Sequence, residues 1–340
     1  MKAYVWLLGG MVAVFPASGT SQEMLSSQAD SIIRRVIVQT VSQSYDSALA
    51  NCRRLGTLSG GAPFGEFLTA AVLQSRMLDY ENTSGEEAFF AASRKARWLF
   101  QRELRDHPRS ALDHFFIGAT YGYEAFYYGK RNRLLDGFRS GWQCMQELNA
   151  ALALDPKLYD AYLGIGTFRY YQAKLGKAFS WLPFVEDNRE QAVAMIRKAI
   201  YYGKYSSAAA INGLSWILME EGRAQEALAL VDSALQLYPG SRFFLWGAAE
   251  ANFRLQRWGE AQRCYELILE SFAAENHPSP YNEVACYLRL SDINFRQANY
   301  DACRRQLAEL FAIPLSKADR ERSSKLLKRA RELEKEVNRL

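Results

Sequence analysis

Apolar positions recur along this chain at a helical spacing. In "RAQEALALVDSALQLYP" (223–239), Ala227, Val231 and Ala234 stand at i, i+4 and i+7, one face of a helix, and Pro239 follows five residues later. The same face returns as Ala192, Ile196 and Ala199, and again as Cys144, Leu148 and Ala151 with Pro156 five residues on. Further toward the N-terminus it reads Ala96 and Phe100 with Pro108, then Ala48, Cys52 and Leu55 with Gly60. Small residues head these faces at positions 48, 96, 144, 192, 227, 261 and 303, in steps of 48, 48, 48, 35, 34 and 42. A second amphipathic helix precedes each later anchor, as in "YDAYLGIGTFRYYQA" and "AAINGLSWILMEEG". Such a period predicts a stack of helical hairpins, each hiding its apolar flank against its neighbours. Pro156 then ends one hairpin, and Gly166 is expected where two helices approach closely.

The best-kept copy reads Ile211, Leu214, Ser215, Leu218, Gly222, Ala227, Val231, Ala234 and Pro239. Partial copies read His114, Ile117, Gly118 and Tyr121; Ala161, Tyr162, Ile165 and Gly166; and Leu245, Ala249, Trp258, Ala261 and Tyr265. In this pattern the chain resembles tetratricopeptide repeats, whose unit is about 34 residues long. The resemblance covers nearly all of residues 40 to 315. It implies an all-α fold, a right-handed α-solenoid of stacked antiparallel helix pairs in a TPR-like superhelix. The repeat domain is expected over 23–316 and a capping helix over 317–340. In the copies at 111 and 159 the gap from the Tyr position to the small anchor is 23 residues instead of 9, an insertion of 14. Fourteen residues make about four helical turns, which predicts longer hairpins in the N-terminal half, with 177–190 as a loop.

The first residues change the picture of where the protein works. Lys2, an apolar run from Ala3 to Phe15, Pro16 and then small residues read as a signal peptide over 1–19, cleaved after Gly19. The run is too short for a spanning helix, so no stable transmembrane anchor is expected, and the mature chain is placed in the periplasm or outside the cell. A retained N-terminal anchor is the alternative. Five cysteines, an odd number without metal or CxxC spacing, indicate no disulfide framework. Of the 340 residues, 49% are hydrophobic and 23% charged, which excludes disorder. The net charge of +5 is concentrated at the C-terminus, where 317–340 holds nine Lys/Arg against five Asp/Glu. The remainder is near neutral, so no nucleic-acid partner is expected, and peripheral envelope association through the last helix stays open.

Candidate chemistry is sparse. His107, His114 and His277 are the only histidines; the first and last precede prolines at helix ends, and His114 holds a bulky repeat position. There is no HExxH, GxSxG, P-loop or GxGxxG, and "LSGGAPFG" (58–65) lacks the Lys and Ser/Thr that hold phosphates. The expectation is therefore no enzyme, no catalytic residue, no metal and no cofactor. By the resemblance, ligands of such repeats meet the inner face of the first helix in each unit. Those positions include Tyr170, Trp216, Trp246, Glu250, Phe253, Asp292 and Phe295, an expected partner-binding set for a protein or peptide. Glu250 and Asp292 would select a basic neighbour. Two other readings stay open: the aromatics pack on one another, or tyrosine clusters at 121–131, 168–174 and 201–206 stack on sugar rings of an envelope polymer.

Overall fold

The computed structural model describes residues 26–177, 188–275, 277 and 279–340. The expected signal peptide, with its cleavage site, and most of the loop expected over 177–190 lie outside the described residues. Within them the chain forms sixteen helices and no strand. The first eight are α1 (Ser27–Val41), α2 (Tyr45–Gly56), α3 (Ala62–Asp79), α4 (Glu86–Asp106), α5 (Ala111–Lys130), α6 (Leu134–Leu154), α7 (Ala161–Lys177) and α8 (Arg189–Tyr202). Then follow α9 (Ser207–Glu220), α10 (Ala224–Leu237), α11 (Arg242–Arg254), α12 (Trp258–Ala274), α13 (Pro280–Arg296), α14 (Tyr300–Ala312), α15 (Lys317–Arg322) and α16 (Ser324–Val337).

Every helix packs on the one before it and the one after it through α14, which makes the fold an α-solenoid of hairpins. All seven small anchors, Ala48, Ala96, Cys144, Ala192, Ala227, Ala261 and Cys303, are buried where neighbouring helices cross. Small side chains there let the backbones come close. Gly166 shows the limit: a Cβ on it would lie 2.7 Å from Ile196 Cγ1 and 2.8 Å from the Ala192 carbonyl oxygen of α8. Odd-numbered helices also touch one another in series, α1 with α3, α3 with α5, α5 with α7 and α9 with α11, while from α2 to α14 successive even helices come less close. The stack therefore curves, with odd helices on its inner face and even helices outside.

One turn recurs inside the hairpins. At Gln43, Glu81, Asn132, Gly222, Gln256 and Ala298 the backbone is left-handed, with φ between 48° and 77°. In each case the next residue (Ser44, Asn82, Arg133, Arg223, Arg257 or Asn299) donates its N–H to the carbonyl five residues back. This is the Schellman closure of a helix, and only one of the six uses glycine, the residue that adopts it without strain.

The curved stack meets itself. The first-to-second-helix turns of the two N-terminal hairpins sit on the loops that join later hairpins. Ser241 donates to the Val41 carbonyl, and Gln43 Oε1 accepts from the Arg242 N–H at 3.1 Å. Tyr205 OH and Lys204 Nζ bind Asp30 of α1. At the centre Arg242, 1% exposed, grips Asp79 of α3 at 2.6 and 3.0 Å and Glu275 after α12 at 2.7 and 2.9 Å. Its guanidinium lies 4.2 Å from the Phe272 ring centroid, and Tyr80 OH donates to Glu275 at 2.7 Å. The two carboxylates keep the guanidinium charged, well above its usual range, despite its burial. At the far end the segment 317–340 comprises two helices that part at Ser323. Ala330, Leu333 and Val337 of α16 bury against Val284, Leu288 and Leu307 of α13 and α14.

Candidate interaction surfaces

The seven inner-face residues fall into three groups in the structure. Tyr170 and Asp292 are interior. Tyr170 is fully buried and its hydroxyl donates to Glu221 at 2.7 Å, with burial pushing its pKa up. Asp292, 7% exposed, is covered by the C-terminal helix and bound by Arg329 at 3.1 Å. As placed, both side chains are engaged within the fold. The reason is local: on α7 the open position falls one residue later, at Tyr171, and on α13 the helix α16 lies over the site.

Four more are half-buried and already engaged. Trp246 packs edge-on to Tyr265, with centroids 6.2 Å apart, and Phe253 edge-on to Trp258 at 5.4 Å. Arg289 covers the Phe253 ring at 4.5 Å, and Phe295 rests against Tyr300 at 5.9 Å. Glu250 is held between Arg254 at 2.8 Å and Arg289 at 2.9 Å, so its charge is answered from within. Only Trp216, 38% exposed, stands open. On α7 Tyr171 is 37% exposed, and one turn further along each of the two helices Lys174 of α7 pairs with Glu220 of α9.

The tyrosine clusters divide in the same way. Tyr127 is buried, and Tyr205 is tied to Asp30. Tyr159, Tyr162, Tyr201 and Tyr202 instead form a surface group, with Tyr159 and Tyr202 centroids 5.0 Å apart and Lys198 Nζ 4.9 Å over Tyr162. Tyr201 and Tyr202 are about two-thirds exposed.

Burial pushes the cysteine thiols up rather than activating them: Cys144 to about 12 and Cys264 to about 11. Among the described residues no group of three or more His, Cys, Asp or Glu is arranged to hold a metal ion, and no helix is long and apolar enough to cross a membrane. His114 is engaged by Glu147 at 2.7 Å and His277 stacks on Tyr80 at 4.1 Å, so both serve internal contacts.

Stacked hairpins with a common inner face define a helical-repeat scaffold. Residues 218–278, from the end of α9 through α12, match the family model described as tetratricopeptide repeat, and the helix pairs around them stack as a TPR-like solenoid. Solved structures of similar form include the C-terminal part of a TPR repeat-containing protein from Cytophaga hutchinsonii, 14% identical over 85% of this chain and 98% of that one, with a TM-score of 0.45. They also include PilW, a type IV pilus biogenesis factor, 15% identical over 73% and 95% with a TM-score of 0.46. A third is a tetratricopeptide repeat protein from Parabacteroides merdae, 13% identical over 89% and 99% with a TM-score of 0.39. No curated protein matches the sequence.

Proposed function

We propose that the chain is an exported, non-catalytic scaffold that holds a protein or peptide partner against the inner face of its helix stack. The supporting observation is that Tyr171 on α7 and Trp216 on α9 are aromatic rings each left more than a third exposed, on two inner helices that the Lys174–Glu220 ion pair bridges. Aromatic side chains with a flanking charge are the usual anchors of protein interfaces. The inner-face site is thus narrower than the seven-residue set, centred on Trp216 with Trp246, Glu250, Phe253 and Phe295 behind it. Residues 1–19 serve in this reading as the cleaved signal, 23–316 as the repeat domain and 317–340 as its cap. Partner capture from the native envelope tests the site: Trp216→Ala lowers recovery by at least about tenfold, Trp246→Ala by less, and unchanged recovery with Trp216→Ala defeats the inner-face site. Fractionation with N-terminal sequencing tests export, with a soluble mature chain expected to begin near Thr20.

The surface tyrosines carry a second reading, a carbohydrate or envelope-polymer contact. Tyr159, Tyr162, Tyr201 and Tyr202 present ring faces of the kind that stack on pyranoses. Tyr201→Ala with Tyr202→Ala then abolishes polymer co-sedimentation and leaves protein capture intact.

A further inference from the structure

We infer that the outer face of α6 is a self-association surface and that its occupant is a second copy of this chain. Leu135, Phe138 and Trp142 stand at i, i+3 and i+7 on the outer side of α6, with Leu134 beside them. They are 78%, 54%, 48% and, for Leu134, 66% exposed. The opposite side of the helix is already used, since Cys144, Leu148 and Ala151 are buried in the stack. The helix thus carries two apolar seams, and of the second the fold uses only the edge where Phe138 meets Phe168, with centroids 6.0 Å apart.

Charge distinguishes this face from its neighbour. Of the ten exposed residues on α6, only Arg139 is charged; of the ten exposed on α4, six are charged. Loss of charge around a Trp, Phe and Leu core is what separates the centre of a protein interface from ordinary surface. The polar flank is Gln143, Gln146 and Asn149, whose side-chain amides each donate and accept. Such groups pair with their own copies across a two-fold axis, whereas a row of like charges would require a different chain of opposite sign. An anionic bilayer would require cations spread along the ridge, and Arg139 stands alone there.

Shape agrees with the same occupant. Next to the ridge lies a cleft of about 390 Å³ lined by Tyr121, Phe138, Arg139, Ser140, Trp142 and Gln143. A ridge and a cleft on one patch satisfy the rule of an isologous contact, in which the ridge of each copy enters the cleft of the other. Across the two-fold, Arg139 of one copy can lie over the Trp142 ring of the other. A helix of this length is about 30 Å long, and a strip two helices wide offers on the order of 600 Å² per copy. That is near the lower end of what a stable interface buries, so the dimer forms reversibly with concentration.

Sedimentation equilibrium of the full mature chain, over about a hundredfold range of concentration, reads this directly. The wild type is expected to move from monomer to dimer mass. Phe138→Asp and, separately, Leu135→Ser raise the dissociation constant at least about tenfold with helix content unchanged, and Leu135→Ser, the more exposed site, also leaves the thermal midpoint unchanged. Trp216→Ala on the inner face leaves the mass unchanged. A wild type that stays monomeric throughout overturns the inference, as does a dimer that survives both α6 variants. A monomer that co-sediments with phosphatidylglycerol vesicles through Phe138 would assign the face to membrane and overturn it too.

Discussion

The hairpins α3–α4 and α5–α6 and the hairpins α9–α10 and α11–α12 stack by the same rule with different fillings. The first four helices run 18, 21, 20 and 21 residues, the second four 14, 14, 13 and 17. In α9–α10 the core is mainly Ala, Leu, Ile and Val, as at Leu214, Leu218, Ala227 and Val231, and α11–α12 adds single buried rings at Phe244, Tyr265 and Phe272. In the long pairs it is a run of packed rings: Phe100 lies flat on Phe116 at 5.2 Å, Phe64 meets both edge-on, and Phe67 meets Phe116 at 4.9 Å. The far ends of α3, α4 and α5 have a small core of their own, Met77, Phe89, Ala92 and Tyr127. A longer hairpin thus needs extra apolar volume at its tip, and aromatic residues supply about 1.5–3 kcal/mol each when fully buried. What both regions keep is the small anchor at the crossing and the left-handed turn between helices.

The closure that joins the two regions is the place where the contrast breaks most readily. Arg242→Met leaves Asp79 and Glu275 without their cation and is expected to cost about 3–5 kcal/mol in urea unfolding. Amides of α1–α3 should then exchange faster while those of α9–α12 stay protected; equal loss in both would show that the ion cluster does not tie one region to the other.

Glycines at a helix crossing and on an open helix face should respond in opposite directions. Gly166→Ala forces a methyl against Ile196 and the Ala192 carbonyl and costs about 1–3 kcal/mol. Gly213→Ala, in α9 with open space around the new Cβ, gains about 0.5–1 kcal/mol. Thermal melts of the two variants, moving apart, check the seam assigned to each.

The turn residues give a smaller effect. Ala298→Gly relieves a left-handed alanine and should gain a few tenths of a kcal/mol to about 1 kcal/mol. Asn132→Gly in the long half should gain less, because asparagine tolerates that backbone. Equal gains would mean the turns are not under the same constraint.

The smallest effect is in pH. Burial alone would raise the Asp30 carboxyl, but hydrogen bonds from Lys204, Tyr205 and Arg34 outweigh it and lower its pKa from 3.8 to about 2. A depressed carboxylate contributes stability that is present above pH 3.8 and lost as pH falls through about 2. Asp30→Asn should flatten that part of the pH–stability curve by a few tenths of a kcal/mol to about 1 kcal/mol, since the contact is partly solvated.

Helix positions and buried anchors were legible because periodicity of apolar residues is a local signal that survives even where Tyr and Leu-Gly positions have drifted. The exposure of the seven inner-face residues was legible only in part. Trp216 stands where the repeat register puts it, but Tyr170 sits in a helix lengthened beyond that register, and Asp292 is hidden by α16, which no local pattern announces. The closure was illegible for a similar reason: Arg242 and Asp79 lie 163 residues apart. A signal was present, a charged residue opening the apolar run "RFFLW". The outer face of α6 also left one, since "LLDGFRSGW" puts large apolar residues opposite the anchors of the same helix. The turns at Gln43, Glu81, Gln256 and Ala298 left none, because none of these residues favours positive φ.

An open array of hairpins can gain or lose a unit at little cost, because each unit answers only to its neighbours. Here the ion cluster around Arg242 measures the distance between the second hairpin and the sixth. Deleting or duplicating any hairpin between them would swing Asp79 away from Arg242 by a full unit and strand a buried cation. The tally of units is thereby frozen, and descendants of this gene should vary in loop length and surface far more freely than in the number of their hairpins.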